Sequence, residues 1–404
     1  MGQDLGNGFD YHPRTRMVFG AGRIERVGEL AGELGGGRVL LVTDPGIVEA
    51  GHSARAMAAL EAAGLKVAVF DGVIENPTTR EVDQCVATAR SAEIDVIVGL
   101  GGGSSLDTAK GCNFLLSNGG RMQDYWGMGK AKRAMLPLIA IPTTAGTGSE
   151  CQSYALITDE GTHQKMACGD PKAAATVAIL DPELTLTQPH LVTVDTGIDA
   201  IAHAVESAVT KKRNALSTLF SREGFRLTAT SFGHLLNDPD NVELRAQMQL
   251  GAAFGGMAIE NSMLGAAHAA ANPLTARYNV VHGQAVGLML PAVIRYNRID
   301  GEASSLYANL AVAAGIAEHT DDEQEAIDAL VARIQSLWEG AELPASLEAH
   351  GVEDSGIEEL AALAAQQWTR QHNPREIGEE GFVQLYRSVL ASREVKGKAD
   401  VAGR

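Results

Sequence analysis

Four residues in the second half of the chain have the types and spacing to hold a divalent metal ion: Asp199, His203, His268 and His282. Asp199 and His203 stand four apart in IDAIAHAVESAV, a segment that reads as helix. Residues four apart on a helix share a face, so a carboxylate and an imidazole can point at one ion. His268 and His282 need a different device. On one unbroken helix, at about 1.5 Å per residue, they would stand roughly 21 Å apart. They meet only if the chain turns back between them, and Pro273 with the irregular run NPLTARYNVV is expected to supply that break. One carboxylate with three neutral imidazoles suits a first-row divalent ion such as iron or zinc. Any one of these histidines alone is better read as an ordinary core or surface residue. Only the joint pattern carries the metal reading.

A second kind of chemistry is written in the first half. GGGSSLDTAK (101–110) follows an apolar run and opens a helix. Glycines let a backbone approach a ligand closely, and a helix N-terminus offers free N–H groups and a positive dipole end to a pyrophosphate. The stretch is neither GxGxxG nor a GK[ST] phosphate loop, so by itself it is equally a tight turn. Asp44 ends another apolar run. An acid there accepts hydrogen bonds from ribose hydroxyls and repels a 2′-phosphate, favouring NAD over NADP; it is equally an Asp-Pro-Gly turn residue. PTTAGTGSE (142–150) is a third polar, glycine-rich loop.

The elements that must position these residues divide the chain in two. Apolar runs at 38–44, 65–72, 94–103, 136–144 and 175–182 read as strands, the early ones alternating with helical segments. That alternation implies a doubly wound parallel sheet, an α/β dinucleotide-binding domain over residues 1–188, with ligands at the carboxyl ends of its strands. Beyond LDPELTLTQP the strand-like runs stop. Alanine-rich helical segments follow at 196–210, 214–235, 241–270, 283–297, 303–315 and 322–338, implying an all-α metal-binding domain over residues 189–404. The glycine loop and the metal residues thus lie in different halves, and a site made from both would sit in a cleft.

Composition bounds the rest. A chain of 404 residues with 45% hydrophobic and 21% charged residues is globular and long enough for about two domains. A net charge of -17 argues against nucleic acid and anionic membrane surfaces as partners. The four cysteines form no CxxC pair and read as reduced thiols. The N-terminus has no secretory apolar region, and no run is long enough to span a bilayer, so a cytoplasmic location is expected.

Taken together, these motifs resemble the iron-dependent, or group III, alcohol dehydrogenase family, over essentially the whole chain. GGGSSLDTAK is similar to its GGGSxxDxAK signature, and PTTAGTGSE to its second loop. DTGIDAIAHAVE and GAAHAAANPLTARYNVVHG carry the ligand pairs, and HNPREIGEEGFVQLYRSVL looks like the closing helix. The resemblance implies that Asp199, His203, His268 and His282 ligate Fe2+, with Zn2+ possible. It implies that NAD(H) is held by Asp44, Asn76, Gly102, Gly103, Ser104, Ser105, Thr143, Thr144 and Gly146. Lys165 would reach a ribose, and Leu156 and Leu184 would line the nicotinamide side. Asp107 is read instead as shaping the loop–helix turn. The implied activity is hydride transfer between the nicotinamide and a small alcohol or aldehyde, by a homodimer or larger homo-oligomer.

One departure stands out. The family often carries a second histidine four residues after the third ligand, with a role in proton relay or nicotinamide contact. Here Asn272 occupies that place, and an amide cannot carry a proton near neutral pH. Competing readings are a related polyol dehydrogenase, a metal-free maleylacetate-reductase-like enzyme, a dehydroquinate-synthase-like lyase, and a cofactor-binding scaffold without catalysis. The complete ligand set disfavours the metal-free enzyme. The lyase would need several cations near the ligands, where the sequence offers chiefly Arg277.

Overall fold

The computed structural model describes residues 7–391. Nine strands run in chain order: β1 (Arg16–Phe19), β2 (Arg38–Val42), β3 (Lys66–Phe70), β4 (Val96–Gly101), β5 (Gly127–Met128), β6 (Leu138–Pro142), β7 (Tyr154–Thr158), β8 (Lys165–Gly169) and β9 (Val177–Leu180). Among them lie helices α1 (Val27–Glu33), α2 (Pro45–Glu49), α3 (His52–Ala62), α4 (Thr79–Ala92) and α5 (Gly103–Asn118). After β9 the chain is helical: α6 (His190–Val209), α7 (Ala215–Asn237), α8 (Val242–Asn261), α9 (Ala266–Tyr278), α10 (His282–Asn297), α11 (Gly301–Ala313), α12 (Glu323–Gly340), α13 (Ile357–Ala365) and α14 (Glu379–Ser388).

Six strands form a parallel sheet in the order β1-β9-β6-β4-β2-β3. The chain leaves β2 for β3 on one side and returns past it to β4 on the other. The carboxyl ends of β2 and β4 therefore flank the switch point, where such sheets bind ligands. Successive side chains point to opposite faces of a strand. Val39 and Leu41 accordingly enter one buried cluster, and Leu40 and Val42 the other. The five strands expected from apolar runs are all present. The edge strand β1 is short and half exposed, and the three-stranded sheet β5-β8-β7 has no long apolar run, so the sequence alone did not reveal either.

In the helical half, α6 is the centre. Apart from its first turns it is buried on all sides, packing against α7, α8, α10 and α11. A helix that is apolar all round belongs inside. Two expectations need correcting here. The stretch 241–270 is two helices, because Ser262 leaves helical geometry (φ -140, ψ -110) and Gly265 starts α9. Pro273 does not break the chain either. It sits within α9, and the turn between His268 and His282 is made further on, at Asn279, whose φ of 53° is left-handed. Asparagine tolerates that region because its short side chain can bond locally. Among the described residues, no helix is long and apolar enough to cross a membrane.

Candidate metal and cofactor site

Asp199 and His203 project from one face of α6, His268 comes from the first turn of α9, and His282 is the first residue of α10. Their polar tips converge. The Nε2 atoms of His203, His268 and His282 lie 3.4, 3.4 and 3.9 Å from Asp199 Oδ1. Ligand atoms of Asp199, His268 and His282 all fall within 4.8 Å of one another; His203 joins the group through Asp199. Asp199, His203 and His268 are buried, while His282 keeps part of its ring open. Gly283 makes the approach of α10 possible, since a Cβ there would stand 2.0 Å from the Asp195 carbonyl oxygen.

The donor set suits a cation. Asp199 Oδ1 and His268 Nε2 are buried without a hydrogen-bond partner, a costly state unless another group satisfies them. The far ring nitrogens are spoken for: His203 Nδ1 lies 3.2 Å from the Gly146 carbonyl, and His268 Nδ1 lies 2.5 Å from Glu206. Each contact favours a proton on Nδ1 and aims Nε2 at Asp199; on His203 that leaves a lone pair for a cation, and on His268 a bound cation would displace the Nε2 proton. The electrostatics agree. Burial opposes ionisation of Asp199, yet the surrounding imidazoles hold its carboxyl well below the usual range. Burial would lower His268, but attraction to Asp199 and Glu206 outweighs it and raises the ring to about 9. Burial, helped by neighbouring positive groups, pushes His282 down to about 3 against the pull of Asp199. Asp199 and Glu206 thus draw positive charge toward this cluster.

Most of the residues expected to hold the dinucleotide gather near the switch point. Asp44 caps α2, its Oδ1 accepting from Ile47 N at 3.1 Å, while its Oδ2 accepts from Ser105 Oγ at 3.0 Å. The turn reading of Asp44 is embodied in the cap it gives α2, and its second oxygen ties the end of β2 to the start of α5. Gly101 has φ +147, and a Cβ there would lie 2.5 Å from Ser105 Oγ. A Cβ at Gly103 would press on Thr147 at 2.8 Å, and one at Gly102 would touch Thr144 at 3.4 Å. Gly102 is the N-cap of α5 and has no side chain to cap it, so the first N–H groups of that helix lack an N-cap partner. Thr143 is pinned by its N–H to the Gly101 carbonyl at 3.0 Å. Asn76, Ser104 and Lys165 come from three separate stretches and meet: Asn76 N donates to Ser104 Oγ at 3.2 Å and Lys165 Nζ to Asn76 Oδ1 at 3.1 Å.

Two positions turn out differently. Leu156 is 38% exposed on β7, but Leu184 is fully buried in the core beneath the sheet and offers no wall to a ligand. Gly146 packs against α6, where a Cβ would lie 2.5 Å from Thr196, and it orients His203. Asn272 donates to Gln367 Oε1 at 3.0 Å. Glu206 was missed, although its place three residues after His203 puts it on the same helical face. Lys110 was also missed as a tie. Fully buried, it donates to the Ser149 carbonyl, Ser149 Oγ and the Tyr154 carbonyl at 2.6, 2.7 and 2.9 Å, clamping α5 to the second glycine loop.

The similarity to known proteins covers both halves. Residues 13–182 match the family described as iron-containing alcohol dehydrogenase, and residues 193–390 match the C-terminal part of the Fe-containing alcohol dehydrogenase family. A choline dehydrogenase of Bacillus subtilis (strain 168) is 35% identical over 92% of this chain and 93% of its own length. An NAD-dependent methanol dehydrogenase of Bacillus methanolicus is 31% identical over 92% of this chain and 97% of its own. The crystal structure of a 1,3-propanediol oxidoreductase superposes with a TM-score of 0.92 at 31% identity, covering 95% of this chain and 100% of that one. The chain therefore belongs to the iron-containing alcohol dehydrogenase family, and is a metal-dependent oxidoreductase that moves a hydride between a nicotinamide cofactor and a small alcohol or aldehyde.

Proposed function

We propose that Asp199, His203, His268 and His282 together hold one ferrous ion, with zinc as the alternative. Residues 1–188 would hold NAD(H) at the switch point and residues 189–404 the metal. The observation that carries this reading is the convergence of three imidazole Nε2 atoms on the unpartnered Asp199 Oδ1. A divalent ion bound there supplies Lewis acidity, which stabilises the alkoxide character of an alcohol oxygen and polarises a carbonyl. The side chains do the rest. Gly146 and Glu206 fix the imidazole tautomers. The open start of α5 and Ser104 receive the phosphates, and Lys165 with Asn76 reaches the adjoining ribose. Asp44 faces the ribose of the adenine end and favours NAD(H) over the 2′-phosphorylated form. Asn272 orients by hydrogen bonding and carries no proton, so the proton leaves by another route.

The substrate we propose is a small neutral or cationic alcohol or its aldehyde. Arg277, the cation that sequence placed nearest the ligands, is exposed and paired with Glu359 at 2.7 Å, so it offers no seat for an acidic substrate. That also weighs against the lyase reading. Beside Gln367, which holds Asn272, Trp368 lies against Tyr154 of β7 with ring centroids 6.2 Å apart, an aromatic pair that joins the two halves. Choline and methanol, the alcohols in the names of two relatives, have that character.

The test is an absorbance assay with NADH and NADPH against neutral, cationic and carboxylated aldehydes, before and after chelation. Turnover should vanish on chelation, return with Fe2+ or Zn2+, and favour NADH. Full activity in metal-free protein, or a higher kcat/KM with NADPH, would refute the corresponding part.

A further inference from the structure

One carboxylate beside the metal cluster has more to do than hold a tautomer. Glu206 lies on α6, on the face that carries Asp199 and His203, and is 2% exposed. Its two oxygens accept from three donors of α9: Ala267 N at 2.7 Å, His268 N at 3.3 Å and His268 Nδ1 at 2.5 Å. The first N–H groups of a helix have no partner within it. Gly265, the N-cap, has no side chain to offer. The preceding donor, Ala266 N, goes to Asn373 Oδ1 at 3.3 Å, and Asn373 is itself locked to Asn297 by bonds of 3.1 and 2.7 Å. A Cβ at residue 265 would lie 3.0 Å from Glu206 Oε1 and 3.1 Å from Asn373 Oδ1, so glycine lets both caps close in. The helix that bears His268 is thus started by side chains from two remote segments, one of them the HNPRE stretch near the end of the chain.

We infer that Glu206 is a positioning residue that couples the start of α9 to the readiness of His268: one carboxylate caps the helix and holds the imidazole by Nδ1 with its Nε2 turned toward Asp199. The inference rests on the ligand assignment proposed above. Its chemistry is specific to a carboxylate. Two anionic oxygens can serve three donors, but the amide of glutamine has one acceptor oxygen. If that oxygen serves Ala267 N, the amide N–H groups face His268 and drive its proton to Nε2, which blocks the lone pair. If it serves His268, an N–H is left facing the N–H of Ala267. A carboxylate on Nδ1–H also makes Nε2 a stronger donor to a cation.

Full-length wild type, E206Q and N373A should be compared by Zn2+ titration under chelator competition, NADH fluorescence binding and thermal melting. E206Q should weaken Zn2+ affinity about 10- to 100-fold, the range of such outer partners, and leave NADH binding unchanged. N373A removes a cap and leaves the imidazole alone. It should lower the melting temperature while Zn2+ affinity stays within about threefold. The inference is overturned if E206Q binds Zn2+ within about twofold of wild type, or if N373A weakens Zn2+ as much as E206Q does at equal loss of melting temperature. Should E206Q not fold, E206D takes its place: its shorter arm cannot span both Ala267 N and Nδ1, so Zn2+ affinity equal to that of N373A overturns the idea. Wild type that binds no Zn2+, or H268A that binds it as tightly as wild type, sinks the ligand assignment itself, and this inference with it.

Discussion

At the scale of the residue, two side chains have consequences that can be measured. Asn272 stands one turn beyond His268 and bonds Gln367. An imidazole in its place has an ordinary pKa near 6.5. N272H should therefore add an ionisation between about pH 6 and 7.5 to the kcat–pH profile, and an active variant with an unchanged profile would argue against any relay at this position. Glu150 is 3% exposed, and burial pushes its carboxyl from 4.5 up to about 7 despite the attraction of Lys110. A carboxyl raised on folding favours the native state at low pH, and that contribution is lost as pH climbs from the unfolded value through the folded one. Over that window the group costs about 3 kcal/mol at most, at about 1.4 kcal/mol per unit. E150Q should accordingly flatten the dependence of melting temperature on pH between about 4.5 and 7, which scanning calorimetry at a series of pH values will read.

At the scale of the element, the site is a matter of how closely helices approach. α6 supplies Asp199, His203 and Glu206 from one face, and α10 reaches it because residue 283 lacks a side chain. A methyl group 2.0 Å from the Asp195 carbonyl meets backbone rather than a side chain that could swing aside. G283A should cost at least about 1–3 kcal/mol and push His282 away from Asp199. Thermal melting and Zn2+ titration should fall together; a variant that keeps both would show that α10 can shift without disturbing the site. The same reasoning explains why Pro273 was a poor guide. A proline removes one hydrogen bond from a helix, a loss that α9 survives among tightly packed neighbours, whereas the left-handed Asn279 redirects the chain.

At the scale of the whole molecule, the two halves are joined beside the candidate metal residues. The loop after β6 lies on the helices: a Cβ at Gly146 would meet Thr196 of α6 at 2.5 Å, and one at Gly256 of α8 would meet the Gly148 carbonyl at 2.3 Å. The carbonyl that orients His203 thus comes from the α/β half. Because the proposed ligands come from α6, α9 and α10, an ion should tie three helices together. Saturating Fe2+ or Zn2+ at about 100 times Kd should stabilise the fold by about 2.7 kcal/mol, and chelation should reverse it. A melting temperature indifferent to both ions and chelator would contradict the proposed ligand set.

What the sequence determined by itself was whatever depends on near neighbours. Alternating apolar runs and helical stretches spelled out the parallel sheet followed by helices. Four-residue spacing put Asp199 and His203 on one face, and glycine-rich turns marked the strand ends. Local backbone geometry dictates these patterns, so they can be read along the chain. Contacts between distant segments decided the rest. Leu184 is buried because the sheet closes over it, not because of its own type. Glu206 and Asn373 matter because α6 and the segment after α13 meet the start of α9, across separations no spacing rule spans. Side-chain chemistry proposes which groups can act; packing decides which of them stand within reach.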